Sequence, residues 1–533
     1  MERILSLGAP YVVTQMAPDS DFTLKEQAYK DQGKSLTNGE EADPYDLKSG
    51  WVGYMRAEGR HITVDLGSIK NITEVSGRFL HNPTMGVLMP REVQVSASLD
   101  NINFYFIGSA NNKKPLFTPG PLAEKYIIKT EPVLARYVRV SFLTDVWTFL
   151  DQIEVRGNLE GEGKALSIVK PIIKTLPKEE SPKPYLAAAT GMKHLVLIYS
   201  GEKFNWQKSD FLPYVGYLNP ETLISEDYLF DGFLFLEFKD GKGRGFLFLP
   251  YGKTIDGYSF NHAGEKPSTW KHWQNYLDSL FKEGQNLSAL DLAVGTLKEN
   301  LDLPNYRVKV EIAIPYPSPK QSGFGELAGE AISFNLEDQD TALNNRVQAI
   351  KLYIDNTLER YKLASYKNLE IVAFYWLEEN VSYSSTPKEA ELIRRTAEIV
   401  HQNGFAFHWI PFVQAEGFRE WREFGFDLAM MQPNYFFHPN AKEERLENNA
   451  QLAQKYGLSV EIEVSNQVFQ SEDYRQRFKK YLQNAAKYNF TNSLLGYYQD
   501  TNLFGLAALS NDPQKREIYD WVYRFVRQGK APR

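Results

Sequence analysis

Apolar and polar positions alternate with two different periods along this chain, and the change of period divides it. From about residue 10 to 158, short runs alternate at every second position and are broken by Gly, Asn and Asp clusters. His61-Ile62-Thr63-Val64-Asp65-Leu66-Gly67, Arg91-Glu92-Val93-Gln94-Val95-Ser96-Ala97-Ser98 and Arg136-Tyr137-Val138-Arg139-Val140-Ser141-Phe142 are examples. A period of two places apolar side chains on one face of a strand, so residues 1–158 are expected to form an all-β antiparallel sandwich. Over 159–185 the pattern stops. Pro171, Pro177, Pro182 and Pro184 stand there among lysines and glutamates, the composition of a semi-rigid, solvated linker with little to bury.

From 186 to 533 short apolar runs alternate with longer stretches of helical period. The expected strands are His194–Tyr199, Phe230–Leu236, Tyr306–Ile314, Leu369–Trp376, Phe405–Ile410, Phe426–Met431, Leu458–Val464 and Leu494–Tyr498. Helical patterns such as Thr341–Tyr361, Lys388–Gln402, Lys442–Tyr456, Tyr474–Lys487 and Pro513–Gln528 separate most of them. Eight strand-then-helix units predict an α/β fold of the (β/α)8 TIM-barrel type, with a hairpin at Arg244–Tyr251 after the second strand. A doubly wound open sheet is the alternative, but no Gly-x-Gly-x-x-Gly turn follows the first strand.

Composition narrows the partners and the chemistry. The 533 residues carry 60 Lys and Arg against 67 Asp and Glu, a net charge of −7. That balance favours neither nucleic acid nor an anionic membrane as partner. With no cysteine there is no thiolate nucleophile, disulfide framework or cysteine-ligated metal. The apolar stretch after Met1 is too short for a signal peptide, and no apolar run reaches the ~18 residues of a membrane span. The expectation is a cytoplasmic protein, or a secreted one whose signal has been removed. The aromatic share is 14%, with 33 Phe, 31 Tyr and 9 Trp. Such rings fill cores, and they also stack on sugars.

In a barrel of this type the reactive end is the C-terminal end of the strands. On the seventh strand Val460, Ile462 and Val464 share one face and Glu461 and Glu463 the other. Branched apolar residues suit the helix layer, which turns both carboxylates inward. Glu463, nearer the reactive end, is the first candidate for a functional acid; a core salt bridge is the plain alternative. The fourth strand ends in Glu378 and Glu379, where both faces are apolar and parity does not choose; a solvated loop pair is the plain alternative. Two carboxylates on different strands, near Tyr316, Trp376, Trp409, Tyr435 and Tyr498, are the equipment of glycoside hydrolysis, one protonating the leaving oxygen and the other attacking or activating water. Asp231, Gln432, Asn434 and Asp500 are candidates to hold substrate hydroxyls. Core packing is the plain alternative for the aromatics. The eight histidines form no His-x-x-x-His or His-Glu-x-x-His, and neither a Gly-x-Ser-x-Gly elbow nor a Walker A loop is present. His408 reads as a hydrogen-bonded interior histidine.

Two family resemblances sit on these residues. Leu36-Thr37-Asn38-Gly39, Trp51-Val52-Gly53-Tyr54, Ile62-Thr63-Val64-Asp65-Leu66-Gly67, Pro90-Arg91-Glu92-Val93-Gln94-Val95-Ser96, Arg136-Tyr137-Val138-Arg139-Val140 and Leu150-Asp151-Gln152-Ile153-Glu154-Val155 resemble the discoidin-type module, the coagulation-factor C-domain sandwich. That resemblance implies a carbohydrate-binding jelly roll with a structural calcium near Asn38, Gly39 and Glu154, where Asn38 replaces the more usual Asp. Arg78, His81 and Trp147 are its candidate ligand residues. Ile314-Pro315-Tyr316-Pro317, Phe374-Tyr375-Trp376-Leu377, Trp409-Ile410-Pro411-Phe412, Gly425-Phe426-Asp427, Met431-Gln432-Pro433-Asn434-Tyr435 and Glu461-Ile462-Glu463 resemble an uncharacterised bacterial domain-of-unknown-function family with a hydrolase-like barrel. Its pattern carries a Glu at the position of Glu379, which ranks Glu379 above Glu378.

The expected function is a glycoside hydrolase acting on a bacterial or plant polysaccharide or oligosaccharide, with Glu379 as acid/base and Glu463 as nucleophile, retaining by default and needing no catalytic cofactor. A non-catalytic glycan-binding or surface-attachment protein is the rival from another class, and a polysaccharide lyase or deacetylase the third reading.

Overall fold

The structure, a computed structural model, describes residues 2–159 and 190–532 apart from 32, 115–117, 202–203, 249–253, 256–257, 260–265, 328 and 384–385. The expected linker therefore lies, beyond its first residue, outside the described residues.

The N-terminal region is all-β. Its two longest strands, Gly59–His81 and Leu122–Leu143, pair antiparallel, and Gly59–His81 also pairs with Trp147–Leu159. Register shifts between Asp65 and Lys70 and between Ile72 and Glu74 interrupt the ladder, and irregularities of this kind bend and twist long strands. The alternating residues Ile62, Val64, Val75, Phe79, Val138 and Val140 all enter one buried cluster. This is the consequence of a period of two once one face is covered.

The C-terminal region is a closed barrel of eight parallel strands. They are His194–Tyr199, Gly232–Leu236, Val308–Ile314, Leu369–Trp376, Ala406–Trp409, Leu428–Met431, Ser459–Glu463 and Leu495–Tyr498, and the eighth pairs with the first. Every expected strand is present, trimmed at most by two residues at each end. The second strand loses Phe230 and Asp231, which precede it. The expected hairpin takes another form: Arg244–Gly245 pairs in parallel with Lys266–Pro267, and Lys239 bridges back to Gly245. Positions 249–251 of that run lie outside the described residues.

Helix ends follow their residues. Asp338 caps the helix Gln339–Ala364 by accepting from Asp340 N, satisfying a backbone donor that the first turn leaves free. Gly457 ends the helix Glu444–Tyr456 at φ 69, a left-handed backbone open to glycine, and turns the chain into the seventh strand. Among the described residues no helix is long and apolar enough to cross a membrane.

The two regions meet along a buried, ion-paired seam. Arg445 of the barrel grips Asp19 with two bonds of 2.8 Å and reaches Asp21 at 2.8 Å. Arg419 donates to Asp145 at 2.8 Å and to the carbonyls of Glu58 and Thr144. Arg56 donates to the Gln414 carbonyl and lies 5.0 Å over the Phe412 ring. Glu58 accepts from Lys455 and Tyr456. Phe22, Met55, Ala57 and Val413 form an apolar cluster beside these pairs.

Candidate functional site

Strand parity decides what faces the barrel interior. The inward positions of the fourth and fifth strands are Tyr375 and His408, which are register partners. On the seventh and eighth strands Glu461 pairs with Gly496, and Glu463 with Tyr498. Glu311, inward on the third strand, accepts from or donates to His408 Nδ1 at 2.6 Å, both fully buried. His408 is thus a hydrogen-bonded interior residue.

Above this layer, at the C-terminal ends of the strands, lies a cavity of about 410 Å³, within the usual range for small-molecule sites. Glu379, Glu461 and Glu463 line it together with Gln432, Asn434 and Tyr498. Tyr199, Phe238, Tyr375, Phe412, Phe437 and His438 supply aromatic walls that sequence reasoning had not singled out. Gly496 makes room here, since a Cβ on it would come within 3.0 Å of the Met430 side chain and 3.6 Å of Glu461 Cγ.

The three carboxylates have different neighbours. Burial pushes the Glu379 carboxyl up to about 7, offset in part by a hydrogen bond from the Gln432 side chain. Gln432 is itself held by Nε2 on the Ile410 carbonyl at 2.9 Å. Burial also pushes Glu463 up to about 7, against hydrogen bonds from the Tyr481 hydroxyl and the Asn434 backbone N–H. The Tyr481 oxygen already accepts from Tyr435 N at 3.0 Å and Phe436 N at 3.2 Å. Its own hydrogen is therefore directed to Glu463 Oε2. Glu461 is raised well above the ordinary carboxylate value, by burial first and then by the charges of Glu463 and Glu379. Among the described residues none of the three forms an ion pair, which sets aside the core salt bridge for Glu463. Desolvation and like charge together are the conditions under which carboxylates hold protons near neutrality.

Several expected site residues lie elsewhere. Glu378 is 4% exposed and absent from the cavity wall, its Oε1 accepting from Asn380 N at 3.2 Å. Asp231 sits at the opposite, N-terminal end of the barrel, where its carboxylate accepts from Lys193 N and His194 N; it ties strand starts together. Tyr316 packs edge-on against Trp376 at 5.8 Å, and Trp409 donates to the Glu378 carbonyl at 2.8 Å while stacking on Phe426. Trp376 and Trp409 face the helix layer because their inward neighbours Tyr375, His408 and Ile410 take the other parity. Tyr435 is buried under Arg477 at 4.5 Å. Asp500 accepts from Asn466 beyond the eighth strand and does not line the cavity.

The expected sites of the N-terminal region are also committed internally. Arg78 pairs with Asp151 and Glu41, His81 is buried against the Thr118 carbonyl at 2.9 Å, and Trp147 packs on Tyr29 and Phe149 at the seam. The residues expected around calcium do not fit one. Glu154 is held by Lys125 at 2.8 Å and Arg156 at 2.9 Å. The Gln152 amide donates to the Asn38 side chain and, at 2.6 Å, to the Glu40 carbonyl, and it accepts from Gly39 N at 3.2 Å. These are the oxygens a hard cation would need. Among the described residues no group of three or more His, Asp or Glu is arranged to hold a metal ion.

A family model described as "Domain of unknown function (DUF4855)" matches residues 194–524, from the first barrel strand to the last helix. The chain belongs to that family. The cavity and its three glutamates thus all lie within the DUF4855 domain. No curated protein matches the chain. Solved structures similar to it include chitosan-binding module 1 of a chitosanase/glucanase from Paenibacillus sp. IK-5, at 14% identity, 30% of this chain, 100% of that one and a TM-score of 0.20. The C-terminal domain of a chitobiase from Bacteroides fragilis matches at 18% identity, 30% of this chain, 99% of that one and a TM-score of 0.22. A Ruminococcus gnavus GH29 fucosidase matches at 15% identity, 30% of this chain, 27% of that one and a TM-score of 0.19. At these scores the likenesses decide nothing about the activity of the DUF4855 domain.

Proposed function

We propose that the protein hydrolyses glycosidic bonds of a polysaccharide or oligosaccharide by a two-carboxylate mechanism in the barrel cavity. The observation that carries this reading is the pair Glu379 and Glu463: they come from different strands, share one cavity at the reactive end, and form no ion pair among the described residues, Arg445 acting on Glu463 only from a distance. Glu379, whose carboxyl is raised to about 7 mainly by burial, keeps a proton to give to the glycosidic oxygen as the C–O bond breaks. Glu463, with two hydrogen bonds to its carboxylate form, is the better anion. It attacks the anomeric carbon and forms a glycosyl ester, and Glu379, now ionised, takes the proton of the water that hydrolyses the ester. Tyr199, Phe238 and Phe437 would floor the sugar rings, with Gln432 and Asn434 on hydroxyls. The N-terminal region enters as a carbohydrate-binding module fixed to the barrel.

The test is a polysaccharide panel scored by new reducing ends, run with the full chain and with Glu379→Gln and Glu463→Gln. Cleavage of one glycan, lost in both variants, is expected. Unchanged cleavage in either variant removes the assignment. The anomer first released, read by NMR, tells retention from inversion.

A further inference from the structure

Two of the three cavity carboxylates have tasks in the proposed cleavage, and Glu461 has none. It leaves the same strand two residues before Glu463 and points to the same side. It is 2% exposed, it lines the cavity, and its Oε1 has no hydrogen-bond partner among the described residues. The groups facing it are Glu463, Glu379 and the hydroxyls of Tyr199, Tyr375 and Tyr498. Among the described lining residues there is no Lys or Arg to offset a third negative charge.

A buried acceptor without a donor is unfavourable, and such an atom on a cavity wall is open to a donor from water or from a ligand. A sugar hydroxyl can pair with the protonated form of Glu461 but does nothing to offset the charge of the ionised one. A protonated amine brings three N–H donors and one positive charge, and its bond to a carboxylate is of the strong, charge-assisted kind. We infer that Glu461 receives a protonated amino group of the ligand, so that the cavity takes a glycan of hexosamines with free amines in preference to N-acylated, neutral or acidic sugars. This deepens the glycoside-hydrolase reading, and calling the ligand a substrate rests on that reading. Burial, and then the charges of Glu463 and Glu379, favour the protonated form of Glu461 in the free protein; it ionises as the ammonium arrives, and its proton leaves to solvent.

The experiment is calorimetric titration of the full chain carrying Glu379→Gln, which holds the ligand uncleaved. The probes are soluble oligosaccharides of glucosamine and of galactosamine, with their N-acetylated counterparts of equal length, at a pH where the amines are protonated. At least one amine series binds, its N-acetylated form binds about 30-fold more weakly or worse, and adding Glu461→Gln removes the preference by a similar factor. Adding Glu461→Asp instead keeps part of it. Without any change at position 461, titrations in two buffers of different ionisation heat show net proton release on amine binding. Binding of neither amine series overturns the inference, as does equal affinity for the N-acetylated forms or an amine preference indifferent to Glu461→Gln. Amine binding that depends on Glu461, in a wild-type chain that cleaves no glycan, overturns the hydrolase reading alone. Cleavage of a neutral glycan unaffected by Glu461→Gln overturns the amine inference alone.

Discussion

The seam between the two regions and the cavity of the barrel both bury carboxylates, and they treat them in opposite ways. At the seam Asp19 is 7% exposed and held on both oxygens by Arg445, and Glu58 accepts from Lys455 and Tyr456. In the cavity Glu461 and Glu463 are each 2% exposed and, among the described residues, meet no cation within pairing distance. A buried charge that is paired and hydrogen-bonded is tolerable; one that is not keeps a proton or waits for a ligand. The contrast teaches where to look for chemistry. Burial alone marks both places, and missing compensation marks only the cavity.

The sharpest way to break this contrast is to remove a cavity carboxyl and find turnover unaffected. Glu379→Gln and Glu463→Gln should each lower kcat/KM by about 10³-fold, within the span known for acid–base and nucleophilic groups. The fold should survive both changes, because no partner is left with an orphan charge. Circular dichroism and single-turnover kinetics on the glycan identified by the panel separate the two effects.

At the seam the same kind of change should act on stability instead. Asp19→Asn leaves the Arg445 guanidinium, 2% exposed, without half of its compensation. Breaking a buried pair from one side costs about 3–5 kcal/mol, read as a lower melting temperature in full-length protein. The cleavage rate per folded molecule should change less than tenfold. A seam variant that kept its stability and lost only turnover would erase the distinction between the two regions.

Stability against pH separates them further. The Glu463 carboxyl is raised to about 7 from an ordinary 4.5, so between these values the folded protein binds more protons than the unfolded chain. Stability therefore falls as pH rises through that window and is level above it. Glu463→Gln should accordingly melt higher than the wild type at pH above 7, the gain vanishing toward pH 4.5. Equal melting curves at both ends would mean that the cavity compensates this carboxylate after all.

How much of this was legible in the sequence depends on the range over which each property acts. Facing of Glu461 and Glu463 to one side follows from a two-residue period, which is local, and the alternation of Val460, Ile462 and Val464 supplied its direction. On the fourth strand Tyr375 and Trp376 are both apolar, so the same rule is silent, and Trp376 went to the helix layer rather than to the site. The walls Phe412, Phe437 and His438 come from loops after strands, where no period operates. The seam was invisible for a stronger reason: Asp19 and Arg445 stand 426 positions apart, and neither residue's neighbours announce a buried partner. The calcium expectation came from a resemblance, which transfers a pattern of positions and not the contacts around them, and here Lys125 and Arg156 hold Glu154.

The smallest effect belongs to Tyr481, which touches only one carboxylate. Its oxygen is fixed by two backbone N–H groups, so its hydrogen has one destination, Glu463 Oε2. A hydrogen bond to a charged group contributes about 1.5–3 kcal/mol, the equivalent of roughly one to two pH units. Tyr481→Phe removes a donor from the anionic form alone, so Glu463 should ionise at higher pH and the acid limb of kcat/KM should move up by about one unit. The basic limb, governed by Glu379, should stay where it is. If Tyr481 served only to hold the backbone at Tyr435 and Phe436, the variant would lose activity by the same factor at every pH. A displaced acid limb beside a fixed basic limb is an outcome that simple loosening of the site does not produce.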